Sequence, residues 1–294
     1  MACCGRAARG GHPIRRCAWP LGIGVAAIVG MVMLGVRPSG RFAGDQERLA
    51  FIVLPLVTLV ESLAAALQPA RWWAMGLRAL VAASLWPILL HGSVYLGGDA
   101  ALSPHAWKPA EKAAMLGGAA AALTAVLLIL TETSRHASRS VLLGCLALTT
   151  AATGITMMLS GYLTGGQLAM PLAAALVVAC GMSAVVGSAD DAAGVGVGFV
   201  GLAGLTTIGH FFGSLSEAHA VVLVAVPLIS WLAEAGLQQR LGPRWRALVA
   251  VAGTAVVLAW VVWQAYVRFD AASTTTRAHE AGTADVQDYL NFGR

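Results

Sequence analysis

The chain has 294 residues, of which 58% are hydrophobic and only 11% charged. Soluble domains carry about 25% charged residues, and here the few charges cluster between long apolar runs, which excludes a soluble core and points to a polytopic membrane protein. The net charge of +5 does not call for nucleic acid, because in this class basic residues hold loops on the cytoplasmic side.

Residues 1–20 form a basic N-terminal segment with Arg6, Arg9, Arg15 and Arg16, followed by the apolar run Leu21–Val36. The pair resembles the charged and hydrophobic regions of a signal peptide. The run is short for a span, though Cys17–Trp19 extends it. No convincing small-residue cleavage site precedes Arg37, so a retained signal anchor is the expected form.

Eight further apolar runs follow: Ala50–Leu67, Met75–Leu96, Ala113–Thr131, Val141–Ser160, Leu168–Gly187, Gly194–Phe212, Ala220–Leu237 and Ala247–Val267. Each has about 18–22 residues, enough for a hydrocarbon core near 30 Å. They must be helical, because an open chain leaves its backbone unsatisfied in lipid. The expected fold is an all-α transmembrane bundle over 21–267, with about nine spans, or eight if the first run is a cleaved signal. Its surroundings are the lipid bilayer, with other membrane subunits or further copies of the chain as possible partners. With the N-terminus inside the inner membrane, eleven of the nineteen Lys and Arg fall on the inner side, a modest bias against which Arg37, Arg41 and Arg48 argue. Trp72, Trp73 and Trp245 suit the inner interface, Trp260 and Trp263 the outer.

The glycine-rich run after Asp190 and Asp191 is read as an inner member of the bundle. On a helical wheel Gly194, Gly198 and Gly201 share one side, suited to close helix contact. Thr206, Thr207 and His210 share a second, and Val197, Val200, Ile208 and Phe211 a third, expected to face lipid. The two aspartates complement a helix N-terminus. The glycines lack the preceding strand and the GK[ST] of a phosphate loop. The polar tail 268–294 ends in Val286, Tyr289 and Leu290 at helical spacing, a short docking helix or a frayed end.

Two carboxylates lie inside apolar runs, where a charge costs several kcal/mol. Glu61 follows Pro55 and Thr58, and Glu234 follows Pro227 and Ser230. The stretches PLVTLVESLAAALQ and PLISWLAEAGLQ resemble each other, and both lead to Arg-Trp, at Arg71–Trp72 and Arg244–Trp245. This is a weak parallel repeat or a chance likeness among leucine-rich helices. Each proline frees a carbonyl four residues back and should kink its span. Each Glu either lines a polar path or pairs with a loop arginine, Arg240 being the near one for Glu234.

Cys145, Thr149, Thr153, Thr156 and Ser160 form a single stripe on the fifth span, either the wall of a conduit or a packing face bonded to its own backbone. His91, on a stripe with Pro87 and Tyr95, and His210 are expected in matching halves of their spans. They are the candidate haem or metal ligands or proton carriers. No cofactor is assigned on this signal, and the metal question stays open. The five cysteines show no CxxC pair. Cys145 and Cys180 read as small buried residues, Cys3 and Cys4 as unmodified tail thiols or lipid acceptors. There is no HExxH and no recognisable hydrolase set, so an enzyme is the less favoured class. Three readings remain: translocation of a small solute, ion or proton; a non-catalytic scaffold or subunit; and a haem- or metal-binding redox protein.

Overall fold

The computed structural model describes residues 13–40, 42, 44–67, 71–97, 106–136, 138–186, 193–237 and 241–283. Among them there is no strand. The chain is an all-α polytopic bundle. Its long helices are α1 Pro13–Met33, α2 Asp45–Leu67, α3 Arg71–Leu89, α4 Pro109–His136, α5 Arg139–Leu159, α6 Ala169–Val186 and α7 Ala193–Phe211. They are completed by α8, in two parts, Glu217–Ala225 and Leu228–Leu237, and α9 Pro243–Thr283. Among the described residues seven helices are long and apolar enough to cross a membrane, and the two halves of α8 add an eighth if counted as one span. In α1 the shorter apolar stretch is Cys17–Met33, so Cys17–Trp19 do extend the first run.

The prolines act where their chemistry requires. Pro55 has no N–H for the carbonyl of Phe51, and the turn just before it widens into a π-helix, Leu49–Val53. Pro227 falls at the break in α8, where the two halves meet at 45°. Ser230 Oγ donates to the Pro227 carbonyl at 2.6 Å. The third span ends earlier than its apolar run, at Leu89 and not Leu96. The Arg48 guanidinium, from the first turn of α2, donates to the carbonyls of Leu89 and His91 and so takes acceptors that a longer helix would have used. Gly92, at φ +70°, then turns the chain. At the other extreme α9 runs sixteen residues beyond its apolar run, to Thr283. Ser273 and Thr274 there donate to the Asp270 carbonyl at 2.8 and 2.9 Å. Val286, Tyr289 and Leu290 lie outside the described residues.

The helices form a ring around one axis. Neighbouring contacts run α1–α2–α3–α4–α8–α9–α5–α6 and close again on α1. Helix α7 fills the centre and packs on α1 to α6 and on the first half of α8. Its span is 89% buried, which corrects the expected lipid face: Val197, Val200 and Ile208 are all buried, because the ring leaves α7 no side open to lipid. Glycine makes this possible. A Cβ on Gly194, Gly198, Gly201 or Gly204 would come within 3.0 Å of Ile23, Leu176, Leu172 or Leu49, so four approaches from three helices depend on its absence.

Candidate functional site

The chain alternates direction, so α1, α3, α5, α7 and α9 begin at one end of the bundle, termed the near end, and α2, α4, α6 and α8 finish there. Glu61 lies six residues before the end of α2, about 9 Å along the helix at 1.5 Å per residue. Arg78 lies seven residues into α3. The two are within one residue of the same distance from the connection between the helices and therefore nearly level with each other. The Arg78 Nε donates to Glu61 Oε1 at 2.8 Å and its Nη2 to Oε2 at 2.6 Å, a bidentate ion pair. Glu61 is 0% exposed and Arg78 6%. The carboxylate lies directly against Gly196 of α7, where a Cβ would overlap it. One turn along α2, Thr58 packs on Gly24 of α1, and its buried Oγ1 has no hydrogen-bond partner. Its carbonyl accepts from Ser62 Oγ at 2.6 Å.

Arg78 is the residue that sequence reading missed. Nothing in its own stretch of sequence marks it out. The available signal was symmetry: in a tight helical hairpin, positions equally far from the turn face each other.

Glu234, near the end of the second half of α8, pairs with Arg246 in the first turn of α9. Arg240 lies outside the described residues. This second pair is partly open, with side-chain exposures of 19% and 16%. Both stretches of the suspected repeat thus place an acid late in one helix and its arginine early in the next. They differ in burial, one pair being dry and the other interfacial.

The hydroxyl stripe is bonded to its own helix. Thr149, Thr153, Thr156 and Ser160 each donate to the carbonyl four residues back, at 2.7–2.8 Å. Cys145 packs with Ala233 of α8 and Ala250 of α9, and Ala152 with Leu223, Val226, Leu258 and Val261 of the same two helices. The stripe and Ser230 therefore belong to the α5–α8–α9 side, whereas Thr58 and Glu61 face α1, α3 and α7.

The histidines are set apart at the far end. His91 follows the end of α3 in an exposed turn, so it does not share a helical stripe with Pro87 and Tyr95. His210 is half-buried, with Nδ1 3.0 Å from the Leu215 carbonyl and its ring against Phe211. Phe211 is also flanked by Trp86, Tyr95 and Trp107 at 5.1–5.7 Å. Among the described residues no three His, Cys, Asp or Glu side chains are grouped to hold a metal. Asp190, Asp191, Cys3 and Cys4 lie outside the described residues.

A second polar knot at the far end ties α2 to the connection after α5. Gln46 Nε2 donates to Tyr162 Oη at 2.9 Å, and Tyr162 Oη donates to Asp45 Oδ2 at 3.3 Å. Burial raises the Tyr162 phenol above its ordinary value of 10.0; the Gln46 hydrogen bond opposes this and the Asp45 charge adds to it. A value raised by folding means that the folded state holds the proton more tightly. The knot's contribution to stability is therefore whole below about pH 10 and is lost as pH rises through the folded value. In an absorbance titration of phenolate formation, a step above the ordinary phenol value is expected, and Tyr162→Phe to remove that step. A wild-type curve identical to that of Y162F, apart from its amplitude, would contradict this.

No family model, no curated protein and no solved structure matches the chain.

Proposed function

We propose that this integral membrane protein passes a proton or small ion along the seam between α2, α3 and α7, with Glu61 as the carrier and Arg78 holding the seam shut. The observation that supports it is the dry, bidentate Glu61–Arg78 pair inside two spans. Such a pair is a poor source of stability, since apolar residues of the same volume do as well or better, and ionisable groups at membrane depth more often mark a pathway. The surroundings suit a moving part. Protonation of Glu61 removes its charge and weakens its hold on Arg78. Thr58 Oγ1, one turn away and unbonded, is the next acceptor along α2. The π-turn and Pro55 interrupt the regular bonding of α2, which lets its upper part bend without breaking further bonds. Close packing against Gly196 favours a proton over anything larger. The hydroxyl stripe is left out of this path, because each of its hydroxyl protons is donated to a carbonyl of its own helix. The lysine and arginine bias supports an inner-membrane setting with the N-terminus inside.

The test is proton flux in vesicles under an imposed potassium diffusion potential, read with an entrapped pH dye. Wild type is expected to exceed empty vesicles at least several-fold, and Glu61→Gln to fall to the empty-vesicle rate while remaining monodisperse. Flux that survives in E61Q, or wild type no faster than empty vesicles, would overturn the proposal.

The length of α9 favours a second reading, a non-catalytic subunit. Its helix continues past the apolar run to Thr283, the segment on which a partner would dock. That reading expects a stoichiometric companion after purification in mild detergent.

A further inference from the structure

Where α5, α8 and α9 pack together, a layer of hydroxyls lies between two apolar layers. Ala152 of α5 clusters with Val226 of α8 and Leu258 of α9, and Cys145 of α5 with Ala233 and Ala250 of the same two helices. Between these layers, at helical spacings of three and four residues, stand Thr149, Ser230 and Thr254. Each helix therefore brings one hydroxyl to the seam at the same depth. All three are buried, at 0%, 2% and 0% exposure. The Leu223 carbonyl supplies a fourth oxygen. Pro227 has no N–H to offer it, and Val226 donates instead to Val222. Carbonyls point along a helix towards its C-terminus, so this one opens towards Ser230 across the 45° break in α8.

A count of protons says what these oxygens need. Thr149 gives its hydroxyl proton to the Cys145 carbonyl at 2.7 Å, and Ser230 gives its own to the Pro227 carbonyl at 2.6 Å. Both meet the seam with lone pairs only, as the Leu223 carbonyl does. Thr254 Oγ1 has no hydrogen-bond partner. The Cys145 thiol lies near it but outside hydrogen-bond geometry, and a thiol is a weak partner in any case. A water donates two protons and leaves one bare acceptor over, whereas a cation draws on every oxygen at once. The half-helix Glu217–Ala225 ends here and adds the partial negative charge of its C-terminus. Transporters with broken helices hold sodium by such ends and their freed carbonyls.

We propose that the seam binds one sodium ion through Thr149 Oγ1, Ser230 Oγ, Thr254 Oγ1 and the Leu223 carbonyl. Oxygen ligands select a hard cation, and the lack of a carboxylate among them disfavours a divalent one. The nearest charges on the three helices are Glu234, one turn beyond Ser230, and the Arg246 that neutralises it. Close packing suits a small ion, since a Cβ on Gly253 would stand 3.1 Å from the Ile229 side chain. The site does not rest on the proton path, which runs on the side of α7 that faces α2 and α3.

The experiment follows heat unfolding of the full chain in detergent, with sodium chloride exchanged for potassium or choline chloride at constant ionic strength. Sodium is expected to raise the midpoint saturably, and the other two salts to leave it in place. Thr254→Val keeps the shape and removes the oxygen. It should raise the half-saturating sodium concentration on the order of tenfold or more. Ser230→Ala should do the same, and decides the matter if T254V is not monodisperse. Thr150→Val is the control: Thr150 is as buried as its neighbour but is turned about 100° from it on α5, so sodium protection should persist. Glu61→Gln should keep it as well. Equal midpoints in the three salts, or protection unchanged in T254V, would leave the seam to water and overturn the proposal. Loss of protection in T150V or E61Q would also overturn it, by placing the ion elsewhere.

Discussion

Arg78→Leu is expected to destabilise the bundle by about 3–5 kcal/mol, the usual cost of stranding one charge of a buried pair. Glu61 would then stand fully buried beside Gly196, out of reach of bulk solvent and without its arginine, and both hydrogen bonds that now satisfy its oxygens would be gone. The double variant E61L/R78L should recover most of this loss. It removes both charges and fills the space with carbon, and such replacements range from neutral to stabilising. The measurement is the midpoint of detergent- or heat-induced unfolding, followed by helical circular dichroism and by monodispersity. The same cycle separates structure from function. E61L/R78L should fold like wild type and yet carry no proton flux, whereas a purely structural pair would leave any flux in place. At Glu234 and Arg246 the corresponding single changes should cost about 1 kcal/mol or less, because partial exposure lets water replace the missing partner. If R78L unfolds where wild type does, the pair is wet and the argument from its dryness fails.

Much of this architecture is legible in the sequence. Runs of about twenty apolar residues admit only helices in a bilayer, and each run corresponds to one helix except at Pro227, where it is a bent pair, and in Met75–Leu96, where a short separate helix, Val94–Gly97, follows the end of α3. The bend at Pro227 and the disturbed turn before Pro55 were readable because proline acts on its own chain, four residues away. What escaped involved residues far apart in sequence. Arg48 ends α3 across a separation of 41 residues, and nothing in the stretch Met75–Leu96 announces this. A helical wheel assigned Val197, Val200 and Ile208 to lipid because it sees one helix and cannot see the eight around it. The ring itself depends on α1 meeting α6 and α4 meeting α8, contacts that hydropathy does not encode. At the charged pair the same limit shows: Glu61 was conspicuous as an acid in an oily run, whereas Arg78 passed as one more basic residue near a loop. The polar residues that had been grouped by type divide, in space, between two sides of α7 and the far-end surface.

Gly196→Ala, a change of one methyl group, should be nearly as harmful as losing Arg78. The new Cβ would overlap Glu61 Oε1, and neither neighbour can yield cheaply. The carboxylate is fixed by two hydrogen bonds to Arg78, and α7 is wedged inside a closed ring, so a shift of its backbone disturbs contacts with α1 and α6 as well. Overpacking of this kind costs about 1–3 kcal/mol, and turning Glu61 out of its bidentate geometry adds to that. Gly117→Ala is the control, because nothing lies within 4 Å of its Cβ position in α4. There the helix propensity of alanine should stabilise by about 0.5–1 kcal/mol. The two substitutions are chemically identical and opposite in expected sign, so a common effect of alanine on the membrane protein cannot account for both. A second-site change sharpens the test. Glu61→Asp withdraws the carboxylate by one methylene, and E61D/G196A should therefore be more stable than the two single effects sum to, by an amount readable as a coupling energy. Strict additivity would mean that the methyl group and the carboxylate never meet, and that α7 does not pass as close to α2 as the glycine requires.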